Sequence, residues 1–126
     1  MATFGEYDSI PGLAATSTLA SAQYYVVQAS GTALEVKLGT SGTSKILGIV
    51  QNDPAAGEPA DVAFVGICKA AAEASTSYGS FLTCSSTGRV KATTTAGDRI
   101  VGMALEANST AGLIIRVRLG AFCTYT

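Results

Sequence analysis

Apolar and polar residues alternate most regularly between Leu113 and Leu119. Leu113, Ile115, Val117 and Leu119 occupy every second position, and Arg116 and Arg118 fall between them. Side chains of a strand point alternately to its two faces, so this segment predicts a strand with one dry side and one wet side. A second apolar run, Ile100 to Leu105, precedes it across Asn108, Ser109, Thr110 and Gly112, and the two predict a hairpin. Further short runs lie at Tyr24–Gln28, Ala33–Leu38, Lys45–Gln51, Asp61–Cys68, Ser80–Cys84 and Arg89–Ala92. In one of them Leu34, Val36 and Leu38 alternate with Glu35 and Lys37. About eight short strands separated by Gly, Ser, Thr, Asn and Pro predict an all-β domain, either a sandwich or a small barrel.

Two stretches depart from this pattern. Lys69 to Ser75, KAAAEAS, is the one helix candidate, with one or two turns at most. A helix so short is marginal in water and needs packing to hold it. Residues 1–22 are rich in Ala, Ser, Thr and Gly, are broken by Pro11-Gly12, and show neither period. They predict an extended arm ahead of a β domain over 23–120, with 121–126 as a tail.

The chain also superposes on itself with an offset of 54 residues. Tyr24 falls on Tyr78, Val36 on Val90, Lys37 on Lys91, Ile46 on Ile100, Gly48 on Gly102 and Gly66 on Gly120. KILGI thereby meets RIVGM. One reading is a duplication of units near 24–69 and 78–120 that share a core. The other is chance self-similarity in an all-β chain of this composition, and the sequence leaves both open.

Length and composition narrow the class. A chain of 126 residues is one domain, large enough to bury a core without staples. Its charged fraction of 13% is half the roughly 25% usual for soluble domains, which suits a protein that lies against other subunits. Eight basic and nine acidic residues are scattered without a basic block, so the footprint of nucleic-acid binding is missing. No apolar run approaches the roughly 18 residues of a membrane span. MATFGEYDSIPG has early acids and no basic-then-apolar leader, so folding in a cytosol is expected.

Candidate chemistry is sparse. The chain has no histidine, which removes Ser-His and Cys-His nucleophiles and weakens any metal site built on Cys68, Cys84 and Cys123. These cysteines read as reduced, small apolar side chains, with a single disulfide left open by their spacing. Glu58 and Asp61, flanking Pro59-Ala60, are the nearest approach to a carboxylate pair and read as loop-end charges. Asp53-Pro54 starts a turn, and Gly97-Asp98-Arg99 enters a strand without the features of a phosphate loop. Asn108-Ser109-Thr110 fits the glycosylation pattern, which carries little meaning without secretion. Tyr24 and Tyr25 are adjacent in a predicted strand, so one faces the core and the other is a candidate interface anchor. No catalytic, cofactor-binding or metal-binding residue is predicted.

With these residues in view, the chain resembles the head decoration (capsid cement) proteins of tailed phages from about Gly31 to Gly120. The resemblance is carried by KILGIVQNDPAAGEPADVAFVG, then YGSFLTCSSTGRVKATTTAGDRIVGMALE, then AGLIIRVRLG. It implies a β-rich structural protein that binds the outside of the phage shell, often as a homotrimer, and stabilises it. The implied partner is the major capsid protein, with no nucleic acid, membrane, cofactor or catalysis. The implied location is the virion exterior after synthesis in the host cytoplasm. Residues 1–22 then suggest an arm that orders on the shell and adds a strand to a neighbour. Two other classes remain: a receptor- or glycan-binding module of a phage head fibre or tail, and a small enzyme using carboxylates.

Overall fold

The computed structural model of the protein describes residues 7–107 and 112–124. Its strands are β1 (Tyr7–Ile10), β2 (Ala14–Ala15), β3 (Val26–Ala29), β4 (Glu35–Leu38), β5 (Ile46–Val50), β6 (Val62–Ala71), β7 (Phe81–Cys84), β8 (Val90–Ala92), β9 (Arg99–Ala104) and β10 (Ile114–Thr124). They form one ten-stranded sheet in the order β2-β4-β3-β5-β6-β10-β9-β7-β8, with β1 also paired to β6. The all-β expectation is borne out. The sheet does not close into a barrel; it folds over itself in the manner of a sandwich.

The pairing of the two ends of the sheet is repetitive. Outward from the antiparallel β6–β10 pair, β5, β3 and β4 follow on one side and β9, β7 and β8 on the other. Individual backbone bonds recur as well. The Gly39 and Thr93 amides donate to the Val26 and Phe81 carbonyls. Tyr24 and Gly79 donate to Val50 and Ala104, and Ser30 and Ser85 donate to Glu35 and Arg89. Gly48 and Gly102 sit where a Cβ would strike the next strand's backbone, 2.0 Å from the Ala63 oxygen and 2.3 Å from the Arg118 oxygen. Glycine is required at both, because nothing larger fits between the strands.

Residues 7–22 are built into the domain, where the sequence predicted an arm outside it. β1 pairs antiparallel with β6, and β2 pairs parallel with β4. A short 3₁₀ turn at Ser17–Leu19 follows. Leu13, Ala15, Leu19 and Ala22 are buried against Val27, Val36, Val50, Ala60 and Val62, forming the core of the first half. The N-terminal segment thus helps to exclude water from the β3 to β6 side chains of this cluster. In the second half Ala72 makes the corresponding parallel bridge to Val90. The segment 121–126, predicted as a tail, enters β10 as far as Thr124, with Cys123 opposite Ile100.

The helix expected over Lys69–Ser75 is absent. Lys69, Ala70 and Ala71 complete β6, opposite Arg116, Ile115 and Ile114 of β10. The Ala71 amide donates to the Tyr24 carbonyl. Ala70, Ala71 and Ala72 are all buried. Their small size serves close packing, and long-range pairing outweighs the helical preference of alanine. The larger core joins these alanines to Val26, Ile49, Cys68, Leu82, Cys84, Val90, Val117 and Leu119.

Candidate interaction surface

The outer face of the β6, β10, β9 and β7 strands presents a row of side chains in register. Ile67 lies opposite Arg118, Arg118 opposite Met103, and Met103 opposite Phe81. The alternation that buries Ile115, Val117 and Leu119 turns Ile114, Arg116 and Arg118 outward. Val65, Ile67, Phe81, Leu113 and Ile114 are exposed hydrophobic residues on or beside these strands. Large apolar side chains mixed with arginine on one face are the composition of a protein-binding surface.

Electrostatics on this face is structural. Arg116 Nε lies 3.1 Å from Glu106 Oε2, and its backbone amide donates to the same oxygen. The two hydrogen bonds, backbone first, hold the Glu106 carboxyl below its ordinary value. Both side chains are well exposed, so the pair stabilises by at most about 1 kcal/mol. The Lys69 ammonium stands 5.9 Å over the Tyr24 ring.

The residues singled out in the sequence are scattered and serve structural ends. Asp61 accepts a 2.6 Å hydrogen bond from the Tyr7 hydroxyl and ties β1 to the start of β6. Burial and this bond push the Tyr7 hydroxyl up to about 12. Glu58 instead accepts the Ala55 amide inside its own loop. Each carboxylate has a separate structural partner. Asp98 accepts a bond from the Thr93 hydroxyl at 2.6 Å, and Gly97 has φ +97, so Gly97-Asp98-Arg99 is a turn that feeds β9. Asp53 is exposed, and the turn expected from Asp53-Pro54 lies instead at Ala56-Gly57. Both tyrosines are half-buried and lie just ahead of β3, not in it. Tyr24 has a left-handed backbone (φ +73) beneath Lys69, and the Tyr25 hydroxyl accepts Arg89 Nε at 3.2 Å. Asn108-Ser109-Thr110 lies outside the described residues.

Cys68 and Cys84 are buried free thiols, and burial pushes them up to about 12 and about 11. Both are therefore uncharged and poor nucleophiles at neutral pH. The Cys123 side chain lies outside what the structure describes. Glu73 accepts hydroxyl bonds from Thr87 and Ser85, which lower its carboxyl and clamp the Ser85–Gly88 turn. Among the described residues no three His, Cys, Asp or Glu side chains gather as metal ligands. No described helix is long and apolar enough to cross a membrane. Sequence reasoning missed the exposed row because Phe81, Met103, Arg118 and Ile67 are far apart in the chain, and only strand register aligns them.

Comparison with known proteins agrees with this picture of a surface protein. No curated protein sequence matches significantly. Among solved structures, the chain is similar to the head fibre gp8.5 N base of bacteriophage phi29. The TM-score is 0.66 at 17% identity, covering 86% of this chain and 90% of that one. At that identity the likeness shows a shared fold. The family model described as phage cement protein matches residues 7–119, nearly the whole β structure. The chain belongs to the phage cement protein family.

Proposed function

We propose that this protein binds the outer surface of an assembled phage shell, through the major capsid protein, and stabilises it without catalysing a reaction. The observation that carries the reading is the family match over residues 7–119. The exposed Ile67–Arg118–Met103–Phe81 row supports it, as a surface suited to protein and not to a small substrate. A cement works by repetition: many modest contacts on a symmetric lattice add up to strong retention. The working unit in this reading is a homotrimer whose copies share that row, located on the virion exterior. The recurrent backbone bonds favour a second element of the reading, that the two halves descend from one duplicated unit.

The decisive experiment mixes purified protein with heads that lack it and counts bound copies per shell. Saturation at a whole number per symmetry-related position, with heads that withstand greater heat, is the expected result. Sparse binding, or binding with no gain in head stability, contradicts the reading. Sedimentation of the free protein tests the trimer separately.

A further inference from the structure

The repeated pairing supplies an internal comparison at one turn. Ser30–Glu35 and Ser85–Arg89 are each closed by a backbone bond between their ends, the first turn being one residue longer than the second. In each the first serine hydroxyl also accepts the amide two residues on, at 3.0 Å in Thr32 and 3.2 Å in Thr87. Each holds a left-handed residue near its end, Gly88 with φ +85 two positions before β8 and Leu34 with φ +61 immediately before β4. Glycine adopts that conformation freely and leucine does not. The shorter turn fills its left-handed position with glycine, and the conformation of Leu34 favours glycine in the same way, so the backbone does not call for a leucine.

Folding does not explain the leucine either, since its side chain is 69% exposed. It stands at the rim of an open groove of about 490 Å³ whose apolar lining includes Ile10, Leu13 and Leu47. The ionisable group of that lining is Glu35, whose Oε1 accepts the Ser30 hydroxyl at 3.1 Å. The ion pair of the described residues, Arg116 with Glu106, does not involve Glu35. A strained residue that exposes a large apolar side chain beside an apolar groove with a carboxylate has the marks of a contact made with something else.

We infer that Leu34 and its groove form a shell-binding element, occupied by a segment of the shell protein that offers an apolar side chain next to a lysine or arginine. The apolar side chain packs between Leu34 and the Ile10, Leu13 and Leu47 lining, and the cation meets Glu35. This rests on the cement reading above and adds to it the surface that faces the shell and the chemistry of what it meets.

The test titrates wild type, Leu34→Gly and Glu35→Gln onto heads lacking the protein. Bound copies, melting temperature and sedimentation are measured for each. Leu34→Gly is expected to melt no lower than wild type, while its half-saturating concentration rises at least about tenfold. Glu35→Gln is expected to raise that concentration about threefold and to make it less sensitive to salt. Unchanged binding of Leu34→Gly overturns the inference while leaving the cement reading intact. So does a melting temperature well below wild type, because the fold would then be holding the leucine. A binding loss fully matched by lost self-association assigns the groove to a second copy and also overturns it. Unchanged affinity and salt response of Glu35→Gln remove the cation from the occupant. Wild type that binds no heads overturns the cement reading and this inference together.

Discussion

Replacing Gly102 with alanine places a methyl carbon 2.3 Å from the Arg118 carbonyl oxygen and 3.2 Å from a Leu119 methyl. Carbon and oxygen do not approach within 3.0 Å, so something must move by at least 0.7 Å (3.0 minus 2.3). The obstacle is the backbone of β10, paired to β9 through Leu119–Gly102 and Arg118–Met103, so no rotamer change relieves it. Separating the strands by that distance stretches bonds of about 2.9 Å to about 3.6 Å, beyond hydrogen-bonding range. Two ladder bonds lost at about 1 kcal/mol each, added to about 1–3 kcal/mol for overpacking, give a destabilisation of about 3–5 kcal/mol. Against a total of about 5–15 kcal/mol this is a large loss. Gly48→Ala meets the Ala63 oxygen at 2.0 Å and is expected to be at least as damaging. Gly31 has open space around its Cβ position and no positive φ, so Gly31→Ala is the control, neutral or stabilising by up to about 1 kcal/mol. Urea unfolding followed by far-ultraviolet circular dichroism reads all three. A loss below about 1 kcal/mol for Gly102→Ala, or equal effects at Gly102 and Gly31, refutes the close-approach argument.

Three further outcomes follow from the packing. Leu19→Ala truncates a fully buried side chain of the first-half core and is expected to destabilise by about 2–5 kcal/mol in urea unfolding; a surface-like change below about 0.5 kcal/mol would return residues 7–22 to the role of a loose arm. Thr83 is fully buried and its hydroxyl has no hydrogen-bond partner, so Thr83→Val is expected to stabilise by about 1 kcal/mol, and a loss in the same assay would mean that the hydroxyl is satisfied. The Cys68, Cys84 and Tyr7 groups are all raised in the folded state, to about 12, 11 and 12, above ordinary values of 9.0 and 10.0. Their neutral forms are favoured by folding, so this stability is complete below the unfolded values and lost as pH rises from about 9 toward 12; a urea midpoint that holds steady or rises over that range contradicts the assignment.

Local periodicity made much of the framework legible. Alternation reports which side chains of β10 are buried over Ile115–Leu119, because a strand on one core has no freedom to choose otherwise, whereas Leu113, expected on the dry side, precedes the strand and is exposed. The glycines of KILGI and RIVGM were also visible as a pair, although only the sheet explains them, through the carbonyls they meet. The missing histidine removed the common nucleophile–base pairs from consideration on sequence alone. Periodicity was blind to segments whose environment is made by distant residues. Ala14–Ala22 carries too few large apolar side chains to announce itself, yet Leu13, Ala15, Leu19 and Ala22 close a core whose other wall is β3 to β6. KAAAEAS reads as a helix alone, yet its first three residues finish β6 because β10 and Tyr24 supply their hydrogen bonds.

The candidate site divides in the same way. That this chain is a surface-binding β protein was determined by patterns within a few residues of each other and by family likeness. The row of Phe81, Met103, Arg118 and Ile67, and the exposed left-handed Leu34, were decided by register and by turn geometry. Burial and exposure of a strand's two faces are properties of neighbouring residues, which a sequence displays directly. Which faces line up across strands, and which small residues are pressed together, depends on pairings between segments tens of residues apart, and only the folded sheet brings those together.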